Sequence, residues 1–422
     1  MPPASSPLPH EVLPGSLEVR GPRFYKNGTP FFMAGMNHWA AGALAREGDP
    51  VGWDRVRRDL DVLQALGVNV VRTMAATEGP DTEPLRVVPS IQPREGVYDP
   101  AGVAGVLRLA EEIRRRGLHA IFMLNNFWPW SGGMAQYLAW AGEGAIPYPP
   151  PMPGGSWESY ERFAGGFYAN LRANETYEKT IRLLVPELRD NPAILWELAN
   201  EPRGMANVSA FRRWIDKTAR LIKSLAPGQL VTTGSEGETA SPWHAGLDVV
   251  EDHKSPAIDF ITFHLWAQNW GWVSADTLAA DYPAALGRAR QYVEDHVARA
   301  TALGKPVVLE EFGFPRDEGS FDPGAPTTLR DKYFEELYAL VHARAPTSSL
   351  AGILPWAWSG EIRPPRPGDY WKPGDALTGD PPHERQGWYG LYADDSTLSV
   401  VREGSRSVAA LGKGFGNPAA ER

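Results

Sequence analysis

Trp196-Glu197-Leu198-Ala199-Asn200-Glu201-Pro202-Arg203 is an apolar run that ends in an Asn-Glu pair and is stopped by proline. It reads as a buried strand whose last residues deliver a carboxylate to the mouth of a barrel. Working outward, the same grammar recurs. Phe31 to His38, Val68 to Thr73, Leu118 to Trp128, Gln229 to Ser235, Phe260 to Trp266, Pro306 to Gly313 and Gly352 to Ser359 are further apolar runs. Between them lie helical patterns. Asp49-Pro50 opens one, with Trp53, Val56, Leu60 and Leu63 at helical spacing until Gly67, and others are expected at 102–116, 173–190, after Asn207, at 283–303 and at 328–345.

Near-continuous apolar strands alternating with helices indicate a parallel sheet covered on both faces. Eight of them predict a closed (β/α)8 TIM barrel, α/β in class and a single domain, with long loops after strands three and eight at 129–157 and 360–390. An open doubly wound sheet is the alternative, but no Gly-rich phosphate turn follows the first strand. Leu17 to Pro30, with its Asn27-Gly28 turn, is expected to be a hairpin plugging the barrel bottom. The expected boundaries are a flexible leader at 1–16, the catalytic barrel at 17–415 and a tail at 416–422.

In such a barrel the strand ends converge on one mouth. His38, Arg72, Asn125 or Asn126, Asn200 with Glu201, His264, Glu310 with Glu311, and Trp356 therefore form one ring. Carboxylates on strands four and seven suit retaining glycoside hydrolysis, in which one attacks the anomeric carbon and the other protonates the departing oxygen. Glu201 is expected to be the acid/base, its pKa raised by apolar surroundings and a neighbouring carboxylate. The strand-seven carboxylate is expected to stay ionised with help from Arg72, and Asn200 to hold the 2-hydroxyl. Glu197 and Glu310 are expected to be non-catalytic, lying deeper or facing neighbouring hydrogen-bond donors.

The bulk composition agrees. Net charge is −9 with no basic stripe, which argues against nucleic acid or an anionic membrane as partner and for a neutral substrate. The absence of cysteine excludes thiolate catalysis and sulfur-held metals, and the nine histidines show no ligand cluster, so neither metal nor cofactor is expected. Sixteen tryptophans is a high count, and Trp128, Trp130, Trp157, Trp243, Trp270, Trp272 and Trp371 sit in loop sequence, where a flat ligand explains them better than packing does. Met1 to Pro7 lacks the features of a secretory signal, which implies a cytoplasmic protein if Met1 is the native start and a secreted or periplasmic one otherwise.

The Asn-Glu-Pro after one strand and the Glu-Phe-Gly after the seventh resemble glycoside hydrolase family 5, over about Leu17 to Leu411. The resemblance implies roles for Arg72, Asn200, Glu201, His264, Glu311 and Trp356, and selects Glu311 over Glu310 as nucleophile because it directly precedes the aromatic-Gly pair. Asn125 to Trp128, Ser131 to Tyr137, Phe263 to Trp266, Asn269 to Trp272 and Gly379 to Glu384 are most similar to bacterial β-mannan-degrading members. Expected substrate-binding residues are thus Arg72, Asn126, Trp128, Asn200, His264, Trp266, Trp356 and Trp371. Trp266 departs from the wider family, which often places there a tyrosine that hydrogen-bonds the nucleophile; an indole donates but cannot accept. The implied activity is endo-β-1,4-mannanase acting on mannan or manno-oligosaccharides, with exo-β-mannosidase the alternative. An inactive carbohydrate-binding barrel and a metal-dependent hydrolase rank lower, because both carboxylates are present and a metal-binding His-x-His on the first strand is not.

Overall fold

The computed structural model describes residues 13–239 and 242–414. The leader and tail boundaries expected from the sequence lie largely outside these residues, as does the side chain of Trp243. Eight parallel strands form one sheet: β1 (Met33–Asn37), β2 (Val70–Met74), β3 (His119–Met123), β4 (Ile194–Glu197), β5 (Val231–Thr232), β6 (Ile261–Leu265), β7 (Val307–Phe312) and β8 (Leu350–Ile353). They are ordered β5-β4-β3-β2-β1-β8-β7-β6, and a parallel bridge between Thr232 and Phe260 joins the two edges. The sheet is therefore a closed (β/α)8 barrel.

The Asp-Pro helix starts behave as their chemistry dictates. Asp49 Oδ1 accepts the Gly52 N–H at 3.0 Å ahead of the Pro50–Ala65 helix, and Asp99 Oδ2 accepts the Gly102 N–H at 2.7 Å ahead of Pro100–Arg115. Asn207 sits at the N-cap of Val208–Leu225 but does not cap it with its side chain, which instead donates to Gly165 O at 2.9 Å. Below the barrel, Leu17–Arg20, Arg23–Lys26 and Thr29–Phe31 form an antiparallel meander, one strand more than the expected hairpin. Asn27 and Gly28 both have positive φ in its tight turn. Leu17 and Phe24 then fill the barrel floor with Val70, Ile121, Leu195, Phe260 and Val308.

The loop after β3 is not structureless. It contains a helix at Gly133–Trp140 in which residues 133–138 are all buried. A helix covered on every side carries no amphipathic period, which is why the sequence pattern does not reveal it. The loop after β8 is irregular but anchored. Asp380 accepts the N–H groups of Gly387, Tyr389 and Gly390, and the Trp39 indole donates to Gly379 O.

Candidate active site

Arg72 on β2 organises the barrel mouth. It is completely buried, and all five of its N–H donors are engaged: two reach the oxygens of Glu197 at 2.7 Å each, and the others reach Asn37 Oδ1 (3.0 Å), Asn200 Oδ1 (2.7 Å) and Glu311. Burial opposes its charge, but Glu197, Glu310 and Glu311 outweigh burial and hold the guanidinium ionised. Glu197 is the deep structural carboxylate the sequence suggested. Glu310, also buried, lies 3.6 Å from both Arg72 and His264.

Past β4 the chain stays hydrogen-bonded to β5 and the residues that follow it, with Leu198 N to Thr232 O at 3.0 Å and Glu201 N to Gly234 O at 2.9 Å. Glu201 takes a left-handed backbone, φ 47°, a conformation that non-glycine residues hold only where the surroundings enforce it. Its Oε1 pairs with His264 Nδ1 at 2.6 Å, and its Oε2 accepts the Trp128 indole N–H. The same His264 Nδ1 lies 3.3 Å from Glu311 Oε2. Carboxylate oxygens of Glu201 and Glu311 and a ring nitrogen of His264 all lie within 4.8 Å of one another. An approach this close between carboxylate oxygens fits the retaining geometry, with carboxyl groups about 5–5.5 Å apart, better than the inverting one, about 6.5–9.5 Å.

The electrostatics differ from the sequence expectation. Burial pushes Glu201 up, but the hydrogen bond and charge of His264, with Arg203 and Trp128, outweigh it and hold the carboxyl at about 2. Burial raises Glu311 to about 7 despite His264 and Arg72. His264 is pulled down by burial but raised to about 10 by Glu311, Glu201 and Glu310. The physical reason is the imidazole lodged between the two carboxylates, whose charges favour the shared proton on His264 Nδ1 over Glu201 Oε1, 2.6 Å away. Moving it along that hydrogen bond converts His264⁺/Glu201⁻ into His264/Glu201–H without changing the proton count, so the three groups titrate as a unit. Glu201, His264 and Glu311 are also close enough to share a metal ion, but the Arg72 guanidinium already donates to Glu311 and opposes a second positive charge there.

Around this centre lies a cleft of about 740 Å³. Of the expected substrate-binding residues, Trp128, Asn200, Trp266 and Trp356 line it. Asn126 stands behind, accepting from Asn200 Nδ2 at 3.1 Å. His264 and Arg72 are buried beneath the two glutamates. Trp371 is not among the lining residues; its indole donates to Asp375 O at 3.0 Å inside its own loop, and neighbouring Tyr370 lines the cleft instead. Trp266 makes no hydrogen bond to Glu311. It packs edge-on against Trp356, with ring centroids 6.1 Å apart, and at a tilt against Tyr389 at 4.9 Å, while Glu311 is approached by the Arg72 guanidinium and by His264 Nδ1 at 3.3 Å.

The sequence reading did not place Arg203, Glu236, Asn269, His383 and Trp388 in the site, nor assign Glu384 a place in it, yet all line the cleft. Arg203 could have been found, since it follows Glu201-Pro202 directly. Glu236 directly follows the Gln229 to Ser235 run, and Asn269, His383 and Glu384 lie in segments that carry the family resemblance, whereas Trp388 reaches the cleft only by the folding of the loop after β8. Glu384 is raised well above its usual range by burial and by the nearby carboxylates of Asp380, Glu311 and Glu201, and its Oε2 has no hydrogen-bond partner.

A closed (β/α)8 barrel with two glutamates at this separation, an arginine beneath them and tryptophans around them defines a glycosidase of the retaining class. The chain belongs to glycoside hydrolase family 5: the description "GH family 5 beta-mannosidase-like" matches residues 16–413. It is 26% identical to the putative mannan endo-1,4-beta-mannosidase 4 of Arabidopsis thaliana, over 94% of this chain and 92% of that protein. The family 5 mannosidase of Rhizomucor miehei superposes with a TM-score of 0.85 at 28% identity, covering 95% of this chain and 99% of the other. A variant of that mannosidase, solved in complex with mannosyl-fructose, gives a TM-score of 0.83 at 28% identity over the same shares.

Proposed function

We propose that this glycosidase hydrolyses β-1,4-mannosidic bonds in mannan and manno-oligosaccharides by double displacement, with retention at the anomeric carbon. The observation that carries the reading is the cluster of Glu201, His264 and Glu311 within 4.8 Å at the floor of the tryptophan-lined cleft. Glu311, steadied by Arg72, attacks the anomeric carbon. Glu201, drawing its proton from the bond it shares with His264, gives that proton to the departing glycosidic oxygen. Water then attacks the glycosyl ester, Glu201 takes the water's proton, and Glu311 leaves as carboxylate. Asn200, fixed between Arg72 and Asn126, presents its amide to the sugar's 2-hydroxyl. The mannoside assignment draws on the family description and on the names of the relatives.

Attack within the polymer is the reading the mannanase relatives support. Release of mannose from chain ends is the second reading, and one contact favours it. The loops after β3 and β8 meet across the cleft, with Trp157 and His383 ring centroids 6.0 Å apart, which shortens the groove available to a long chain. Digestion of mannohexaose, sampled early and followed by proton NMR, tests both. A first product of inverted configuration, or no turnover of any manno-oligosaccharide, refutes the proposal. Mannose as sole first product selects exo action, and a spread of shorter oligosaccharides selects endo.

A further inference from the structure

Arg203 follows the Glu201-Pro202 turn, and its surroundings exceed what a surface arginine needs. Glu236 grips one edge of the guanidinium, with Nε donating to Oε1 at 2.5 Å and Nη2 donating to Oε2 at 3.0 Å, while Glu161 holds Nη1 at 3.3 Å. Glu236 is itself anchored, because its carbonyl accepts from the Tyr292 hydroxyl at 3.0 Å and from the His264 N–H at 3.1 Å. The clamp is thereby tied to the strand that delivers His264.

The guanidinium carbon lies 4.8 Å from the centroid of the Trp128 indole, an attractive cation–π placement. Phe127 and Trp157 pack edge-on around the same indole, with centroids 5.2 and 5.6 Å away. The indole N–H donates to Glu201 Oε2, and an indole can only donate. A carbonyl oxygen is a better acceptor than a carboxylic hydroxyl. The bond therefore favours Oε2 as the unprotonated oxygen and leaves the transferable proton to Oε1, the oxygen 2.6 Å from His264 Nδ1.

We propose that Arg203 is a positioning residue for general-acid catalysis: clamped by Glu236 and Glu161, it fixes the Trp128 indole so that Glu201 carries its proton on Oε1. The inference rests on Glu201 being the acid/base. In the step concerned, the Glu201 O–H bond breaks as the glycosidic oxygen takes the proton. The bond from the anomeric carbon to that oxygen breaks, and Glu311 forms the new bond to carbon. With the indole unfixed, His264 alone distinguishes the two oxygens of Glu201, and the proton is aimed correctly in fewer molecules. Departing groups that need protonation suffer most.

The test uses aryl β-mannosides of similar size, from dinitrophenyl, which departs with little help, to phenyl, which needs an acid. Arg203→Met and Arg203→Lys are compared with wild type, with Glu201→Ala as reference and Glu236→Gln as a second way to open the clamp should Arg203→Met fold poorly. General-acid assistance is typically worth about 100- to 10,000-fold. Glu201→Ala is expected to lose activity chiefly on the phenyl substrate. Arg203→Met is expected to lose on the order of 10-fold more kcat/KM on phenyl than on dinitrophenyl, with Glu236→Gln alike and Arg203→Lys between, because general-acid assistance is only partly lost. Equal losses across the series for Arg203→Met and Glu236→Gln, while Glu201→Ala discriminates, overturn the proposal and leave the arginine a structural or aglycone-binding role. If Glu201→Ala itself does not discriminate, the acid/base assignment falls first, and the inference with it.

Discussion

Arg72→Lys keeps the positive charge and much of the volume, so it isolates what the guanidinium geometry contributes. Arginine offers five donors and all five are engaged; lysine offers three, so at least two of the acceptors on Glu197, Asn37, Asn200 and Glu311 lose their partner. Buried hydrogen bonds to charged groups are each worth about 1.5–3 kcal/mol, so the expected loss of stability is about 3–6 kcal/mol. That is a large share of the roughly 5–15 kcal/mol a domain possesses. If the bond to Glu311 is among those lost, the same 1.5–3 kcal/mol corresponds to about 10- to 150-fold in kcat/KM, because no tyrosine stands by to replace it. Urea midpoints give the first quantity, and initial rates on an aryl β-mannoside give the second. An unchanged midpoint with kcat/KM within about threefold of wild type would show that Arg72 does not hold the mouth together as described.

Two further outcomes follow from the buried ionisable groups. Glu311 must be ionised to attack and is raised to about 7 by burial, so kcat/KM is expected to fall as pH drops through a limb well above 4.5, with an alkaline limb as His264, raised to about 10, loses the proton that feeds Glu201. A pH profile whose acidic limb sits at or below 4.5 contradicts this. His119, at the barrel floor, is pushed down to about 3 by burial, so the unfolded chain binds its proton first and stability is lost as pH falls below about 6.5. His119→Leu removes that penalty, and the fall in unfolding free energy between pH 7 and pH 5 is expected to shrink by about 2 kcal/mol. An unchanged difference between the two pH values argues that the ring is accommodated when charged.

The barrel was legible because its strands are buried on both faces and so read as apolar runs, each ending where polar residues meet the mouth. Asp49-Pro50 marked a helix start through capping chemistry that acts within three residues, whereas Asn207 marked the right position but gave its side chain to Gly165, a partner 42 residues away. The helix at Gly133–Trp140 was hidden because burial on all sides leaves no period. Trp371 looked like a ligand face because it lies in a Pro- and Gly-rich loop, yet the loop folds back and Asp375 takes its N–H.

By itself the sequence determined the barrel, the two strand ends that carry Glu201 and Glu311, and the arginine and histidine beneath them, since strand order and strand-end position follow from local patterns of apolar and polar residues. Trp128, Asn200, Trp266 and Trp356 were legible around that pair too, but only the tertiary structure completed the lining. His383, Glu384 and Trp388 reach the cleft through a loop whose path is set by contacts distant in sequence. The tertiary structure also decided that His264 and Glu201 share a proton, because that depends on a 2.6 Å approach between side chains 63 residues apart.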